Sequence, residues 1–182
     1  MNKTIKILGL IIFAGLFASC ASSPSLQKYY IDNADNKNFI SLDIPASVID
    51  LKEYVSQEDR DALSTLKKLN ILAFVKDDAN TAEYKIEEQK VKAIIKDTKY
   101  QELISVKDKG VNIVLKYEGN ESDATVDEFI IYAADKAQGF ALVRVLGDKM
   151  EPGKMAKLMG KIKNVDSKEF KKLEGLFKNI KS

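Results

Sequence analysis

VNIVLKYEGNESDATVDEFIIYAADKAQGFALVRVLGD, residues 111–148, is the stretch that decides the fold. Val111, Ile113, Leu115 and Tyr117 alternate with Asn112, Val114, Lys116 and Glu118. Period two is the signature of a strand with one face buried. Residues 119–125 form a polar loop, and residues 129–134 return as a second strand. Residues 135–139 are a tight connection to a third strand over 140–146, which Gly147 ends. Three strands joined by short turns read as an antiparallel meander.

Upstream, Ile40, Leu42 and Ile44 alternate with Ser41 and Asp43 as another half-buried strand. Pro45 ends it and suits the first turn of a helix, whose apolar positions are Val48, Leu51 and Val55. Ser56 with Asp59 three residues on marks a second helix start, with Ala62, Leu66 and Leu69 as its stripe. The continuous apolar run 71–75 reads as a strand buried on both faces. Asn80 or Thr81 caps a helix carrying Tyr84, Val91, Ile94 and Ile95, and a shorter piece with Tyr100, Leu103 and Ile104 follows. Downstream, Pro152 opens a helix with Met155, Leu158, Met159 and Ile162 on one face. Ser167 caps a last one with Phe170, Leu173, Phe177 and Ile180. The order β-α-α-β-α-β-β-β-α-α gives an α+β fold, a mostly antiparallel sheet of four to five strands packed against helices.

Composition bounds the chemistry. The chain of 182 residues has no histidine, no tryptophan and one cysteine, Cys20. The commonest general base and the commonest zinc ligand are therefore missing. Residues 1–19 contain two lysines and no acids, so without them the 29 basic residues fall to 27 and balance the 27 acidic ones. A neutral chain lacks the global basic field that nucleic-acid binding needs, so no nucleic-acid partner is expected.

The start of the chain is a targeting pattern. Lys3 and Lys6 precede a twelve-residue apolar run, 7–18, and then Ser19 and Cys20. This is the layout of a secretory signal peptide. Twelve residues reach ~18 Å as a helix, short of the ~20 residues that span a bilayer core. Phe17-Ala18-Ser19-Cys20 resembles the bacterial lipobox, with Phe17 where Leu is usual. The resemblance implies that Cys20 is S-lipidated and becomes the first mature residue. The expected divisions are a lipoprotein signal peptide at 1–19, lipidated cysteine and tether at 20–37, an α+β domain at 38–163, and a basic amphipathic helix at 164–182.

Further segments resemble one family: Ile44-Pro45-Ala46, the strand 71–75, residues 99–108 (KYQELISVKD) and residues 140–148 (FALVRVLGD). The chain from about Asn38 to Ile162 is similar to the domain-of-unknown-function 4252 lipoproteins of Bacteroidota. The resemblance implies a small envelope lipoprotein of α+β fold, and it brings no catalytic residues. Ala21 and Ser22 follow the cysteine, without the Asp of inner-membrane retention or an acidic export cluster. By the same resemblance, that places it in the outer membrane facing the periplasm.

Several candidate constellations read better as structure. Residues 147–155 sit between strand and helix, but five residues separate the glycines and Met155 follows Lys154, so a phosphate loop is not expected. Ser25 with Lys28 and Ser64 with Lys67 have Ser–Lys spacing, the first in the tether and the second on a helix. Asp77-Asp78 and Glu87-Glu88 read as solvated charges. Asn120, Glu121, Asp123 and Asp127 lack the spacing of a calcium loop. No metal, cofactor or catalytic residue is expected.

Charge is unevenly placed. Residues 154–182 carry nine lysines and three acids, a net +6, against −6 over residues 20–153. The last helix, with Lys168, Lys171, Lys172 and Lys178 opposite its apolar stripe, can lie on an anionic membrane or a partner. It can equally pack that stripe on the acidic domain. If helices cover one face of the sheet, the other is a partly apolar surface for a partner or lipid, unless the N-terminal segment or the last helix covers it. The expected function is a non-enzymatic, membrane-anchored binding or regulatory module with a possible protein partner. The alternative is a carrier or sensor of a hydrophobic ligand such as a lipid.

Overall fold

The run Ile71-Leu72-Ala73-Phe74 is at most 3 % exposed at every position. Such a strand must be covered on both faces, and it sits near the centre of a six-stranded sheet. The computed structural model describes residues 25–51, 54–108 and 110–165. The sheet order is β1 (Phe39–Pro45), β3 (Leu66–Val75), β7 (Gly139–Met150), β6 (Val126–Asp135), β5 (Val111–Glu118), β4 (Tyr100–Asp108), and all neighbours are antiparallel. A separate ribbon pairs β2 (Ile49–Leu51) with β8 (Ile162–Val165). Four helices occur among the described residues: α1 (Leu26–Asn33), α2 (Gln57–Ser64), α3 (Thr81–Ile95) and α4 (Pro152–Met159). The α+β fold and the meander β5–β6–β7 stand as the alternation implies.

The two sheet faces are packed differently. On one, Phe39, Leu72, Phe74, Tyr132, Phe140 and Leu142 meet α1 and α3 through Leu26, Tyr29, Tyr84, Val91 and Ile94. On the other, Leu115, Phe129 and Val145 meet α2, α4 and the β2–β8 ribbon through Ala62, Met155, Leu158 and Ile49.

Several boundaries differ from the sequence reading. The sheet has six strands, not four to five, because residues 100–104 belong to β4. A register shift between Glu102 and Ile104 breaks the period of two there and hides the strand. Leu66 and Leu69 are not a helical stripe. Helix α2 stops at Ser64, and Leu66 already begins β3 because both β1 and β7 offer it partners. The expected helix over Val48, Leu51 and Val55 is a single 3-10 turn, Ala46–Val48, followed by β2. Residues 26–33 are a helix within the domain and not part of a tether, since Leu26 and Tyr29 fill the first core. The helix at Pro152 is shorter than its apolar pattern, and Ile162 falls in β8. The expected last helix over 167–180 lies outside the described residues.

Local chemistry explains the element ends. Ser56 and Asp59 form a capping box: Ser56 Oγ accepts from the Asp59 amide and the Asp59 carboxylate accepts from the Ser56 amide at 2.8 Å. Pro152 occupies the first turn of α4, as expected. Gly139 has φ +122°, and a Cβ there would lie 2.0 Å from the Phe74 carbonyl, so the β6–β7 turn accepts only glycine.

Candidate functional site

Helix α1 is fastened from both ends of its inner face. Ser25 caps it by accepting from the Lys28 amide at 3.1 Å. Tyr29 is buried and its hydroxyl donates to Glu87 of α3 at 2.8 Å, while Lys90 holds the other Glu87 oxygen at 2.7 Å. Burial, then the Glu87 carboxylate, pushes the Tyr29 phenol far above its usual range. Tyr30 places its hydroxyl 2.7 Å from the Leu142 carbonyl and 2.9 Å from that of Asn70. Its phenol is raised mainly by burial, so it stays a donor.

Glu88 forms the second polar knot. Tyr84 and Tyr132 donate to it at 3.2 and 3.3 Å, and Lys92 pairs with it at 2.8 Å. Burial alone would raise Glu88, but the Lys92 ammonium and the two hydroxyls bring it below the ordinary carboxylate range. Tyr84 is in turn pushed up to about 12, first by burial and then by Glu88. The sequence reading placed Glu87-Glu88 on a solvated helix face, and the structure corrects this. The signal was present: Glu87 stands three residues after Tyr84 and four before Val91, inside the apolar stripe.

Arg144, the lone charge of residues 140–146, reaches Glu128 at 2.6 Å. Glu128 is buried, and this hydrogen bond raises the guanidinium pKa further. On the opposite sheet face, Lys161 bonds both Asp59 oxygens at 2.7–2.8 Å. Lys161, then Ser56, hold the Asp59 carboxyl at about 2.

The remaining candidates are accounted for by local bonds. Ser64 Oγ donates to the Asp61 carbonyl at 2.6 Å, while Lys67 lies in β3, so the two do not share a helix. Lys28 is paired with Asp32 at 2.8 Å. Asp77 exchanges hydrogen bonds with Asn80 across a turn. Asp123 accepts from the Asn120 amide at 2.7 Å within the loop, and Asp127, in β6, accepts from the Lys149 amide of β7 at 3.0 Å. Residues 147–150 continue β7 into α4, with Lys149 at φ +52°. Cys20, Lys168, Lys171, Lys172 and Lys178 lie outside the described residues.

Two of the concave sites among the described residues bear on ligand binding. An open groove of about 460 Å³ runs between α3 and the β4–β5 edge, past Lys92, Lys96, Asn112, Lys116 and Tyr132. Lys116 is used within it, donating to the Ile95 and Tyr100 carbonyls at 2.8 and 3.2 Å and closing the end of α3. A second, enclosed cavity of about 50 Å³ lies between the sheet and α4, walled by Leu69, Leu115, Phe129, Ile131, Met155 and Ile162. Its walls are apolar throughout, so it is suited to hydrocarbon and not to a charged ligand.

A family model described as domain of unknown function (DUF4252) matches residues 29–158, well over half the chain. The chain belongs to this family. No curated protein and no solved structure matches it. The matched region starts inside α1 and ends inside α4, so it takes in the whole main sheet. It begins nine residues before the Asn38 boundary of the sequence reading, because α1 is part of the domain. Cys20 and the four C-terminal lysines fall outside the match.

Proposed function

We propose that the chain is an envelope lipoprotein, anchored through acyl chains on Cys20, whose domain is a non-enzymatic binding or regulatory module. The observation that carries this reading is the pattern Lys3, Lys6, the apolar run 7–18 and Phe17-Ala18-Ser19-Cys20. It is the pattern of the Bacteroidota lipoproteins that the sequence resembles. The fastening of α1 supports it. Cys20 is five residues from Ser25, so at most ~18 Å of chain separates the anchor from the N-cap of α1. So short a span holds the domain beside the bilayer, where a partner in the outer membrane or facing periplasm is met. The carboxylates best placed for chemistry, Glu87, Glu88, Asp59 and Glu128, are each occupied by a lysine, arginine or tyrosine. That favours a binding role over hydrolysis.

Intact-mass measurement on protein extracted from its own membranes tests the anchor. Loss of residues 1–19 with an acylated Cys20 is expected, and Cys20→Ala should release the folded domain to the soluble fraction. An unacylated Cys20 in native material would overturn the reading.

The enclosed apolar cavity favours a second reading, a carrier of a hydrophobic ligand. At about 50 Å³ it is well below the ~300 Å³ of ordinary ligand pockets, so α4 would have to move outward to admit one. Native mass spectrometry of the extracted protein separates the two: a stoichiometric small molecule supports the carrier, and a protein partner supports the module.

A further inference from the structure

On the sheet face that carries α2 and α4, the described helices pack on only part of the area, although Ile44, Ile71 and Ala73 there are 1 %, 3 % and 0 % exposed. One row of cross-strand neighbours runs over all six strands: Val106, Ile113, Ala133, Ala141, Ala73 and Ile40. Every member is apolar, and at one end Val106 and Ile113 are 49 % and 36 % exposed. Its three central positions, on β6, β7 and β3, are alanines, bordered on one side by Ile131, Val143 and Ile71 and on the other by Asp135, Gly139 and Val75. The small residues make a shallow trough across the strands, between Ile113 and Ile40 at its ends. Beside it, the cluster of Ile44, Ile71 and Ala73 has as its apolar neighbours strand residues and Val48, with no residue of the four described helices.

The course of the chain identifies what fits this trough. Strand β8 lies on this same face, since Ile162 packs with Leu69, Ile131 and Met155. Its last residue, Val165, pairs with Ile49, next to Val48 and so at the border of that cluster. Seventeen residues follow Val165. Within them, Phe170, Leu173, Phe177 and Ile180 recur at helical spacing with no other large apolar stripe. A helix over 167–180 is ~21 Å long, and five strand spacings are ~24 Å. Charge agrees in sign: residues 166–182 carry five lysines and three acids, a net +2, against a net −2 over residues 20–165.

We propose that the alanine trough is the docking site of the chain's own C-terminal segment, residues 167–180. Phe170, Leu173, Phe177 and Ile180 enter the trough. Lys168, Lys171, Lys172 and Lys178 project away from it, so the segment turns an apolar sheet face into a cationic outer surface. This inference is independent of the acylation of Cys20.

Paired cysteines in the full chain carrying Cys20→Ala test it. Leu173→Cys with Ala141→Cys should form an intramolecular disulfide under mild oxidation, because the two Cα atoms come within the ~4.4–6.8 Å a bridge needs. Lys171→Cys with Ala141→Cys, on the opposite helix side, should not. Equal cross-linking of both pairs, of neither, or only between two copies of the chain overturns the proposal. Hydrogen exchange on the unsubstituted chain covers the case in which cysteines disturb folding. A segment of fourteen residues is marginal as an isolated helix, so docking should slow its amides at least about tenfold. Exchange of residues 168–180 at the free-peptide rate overturns the proposal equally.

Discussion

The two faces of the sheet solve the same burial problem with different materials. The face under α1 and α3 is aromatic: Phe74 stands 5.1 Å from Phe39, 5.8 Å from Phe140 and 5.9 Å from Tyr84. Its polar bonds are between elements far apart in sequence, such as Tyr29 to Glu87 and Tyr30 to Leu142. The face under α2 and α4 is mainly aliphatic, and its polar tie, Lys161 to Asp59, is at the rim. Rings with directed hydroxyls fix one arrangement, while aliphatic surfaces tolerate repacking. The first face therefore holds the fold together. The second tolerates more change in its packing.

The largest effect that separates the faces is expected at Phe74, which has no exposed surface. Phe74→Ala should cost ~3–5 kcal/mol in urea unfolding, because it opens a cavity and removes three ring contacts. Ile113→Ala on the open face should cost under ~1.5 kcal/mol, since the side chain is already partly in water. Equal losses at the two sites would erase the distinction.

Arg144 comes next. Arg144→Ala leaves Glu128 buried without its cation and should cost ~1–3 kcal/mol, less than a deeply buried pair because the guanidinium is partly exposed. The double variant Arg144→Met with Glu128→Leu should recover most of that loss. A double-mutant cycle measures it, and a double variant as unstable as Arg144→Ala would show that the site needs polarity.

Tyr29→Phe should cost about 1 kcal/mol by deleting one hydrogen bond while keeping the ring. Glu87→Ala should cost more, ~1–3 kcal/mol, since it strands the buried Tyr29 hydroxyl. Both should speed exchange of the α1 amides selectively if that helix is fastened as the geometry indicates.

How far these differences were legible follows from the same contrast. The meander was readable because β5 alternates and β6 and β7 are joined by the Gly139 turn. Strand β3 was readable only from Ile71 onward, because its first residues, Leu66-Lys67-Lys68-Leu69, carry a spacing that also suits a helix. Pairing on both sides decided the matter, and pairing is not local. Strand β4 was masked by its register shift. Glu87 was legible by position but was read as solvated because of its charge. Its partner Tyr29 is 58 residues away, in a mostly polar stretch that reads as a tether. Arg144 is the only charge of residues 140–146, but Glu128 could be named its partner only after the β6–β7 register was known.

The smallest effect at neutral pH is expected at the rim of the aliphatic face, where it sharpens the comparison most finely. Asp59 titrates at about 2 in the folded chain because Lys161 and Ser56 favour its charged form. An ordinary carboxylate in the unfolded chain titrates near ~3.9. The folded value is the lower one, so the contribution is complete above about pH 4 and is lost as pH falls through about 2. Lys161→Met should raise the Asp59 pKa toward the ordinary value, read by NMR of its carboxyl carbon, and should flatten stability against pH in that window. Tyr29→Phe, on the other face, should leave that window unchanged, because a tyrosine hydroxyl carries no charge there. A matching change in both variants would mean that the two faces are coupled through the sheet, and the division of labour between them would fail.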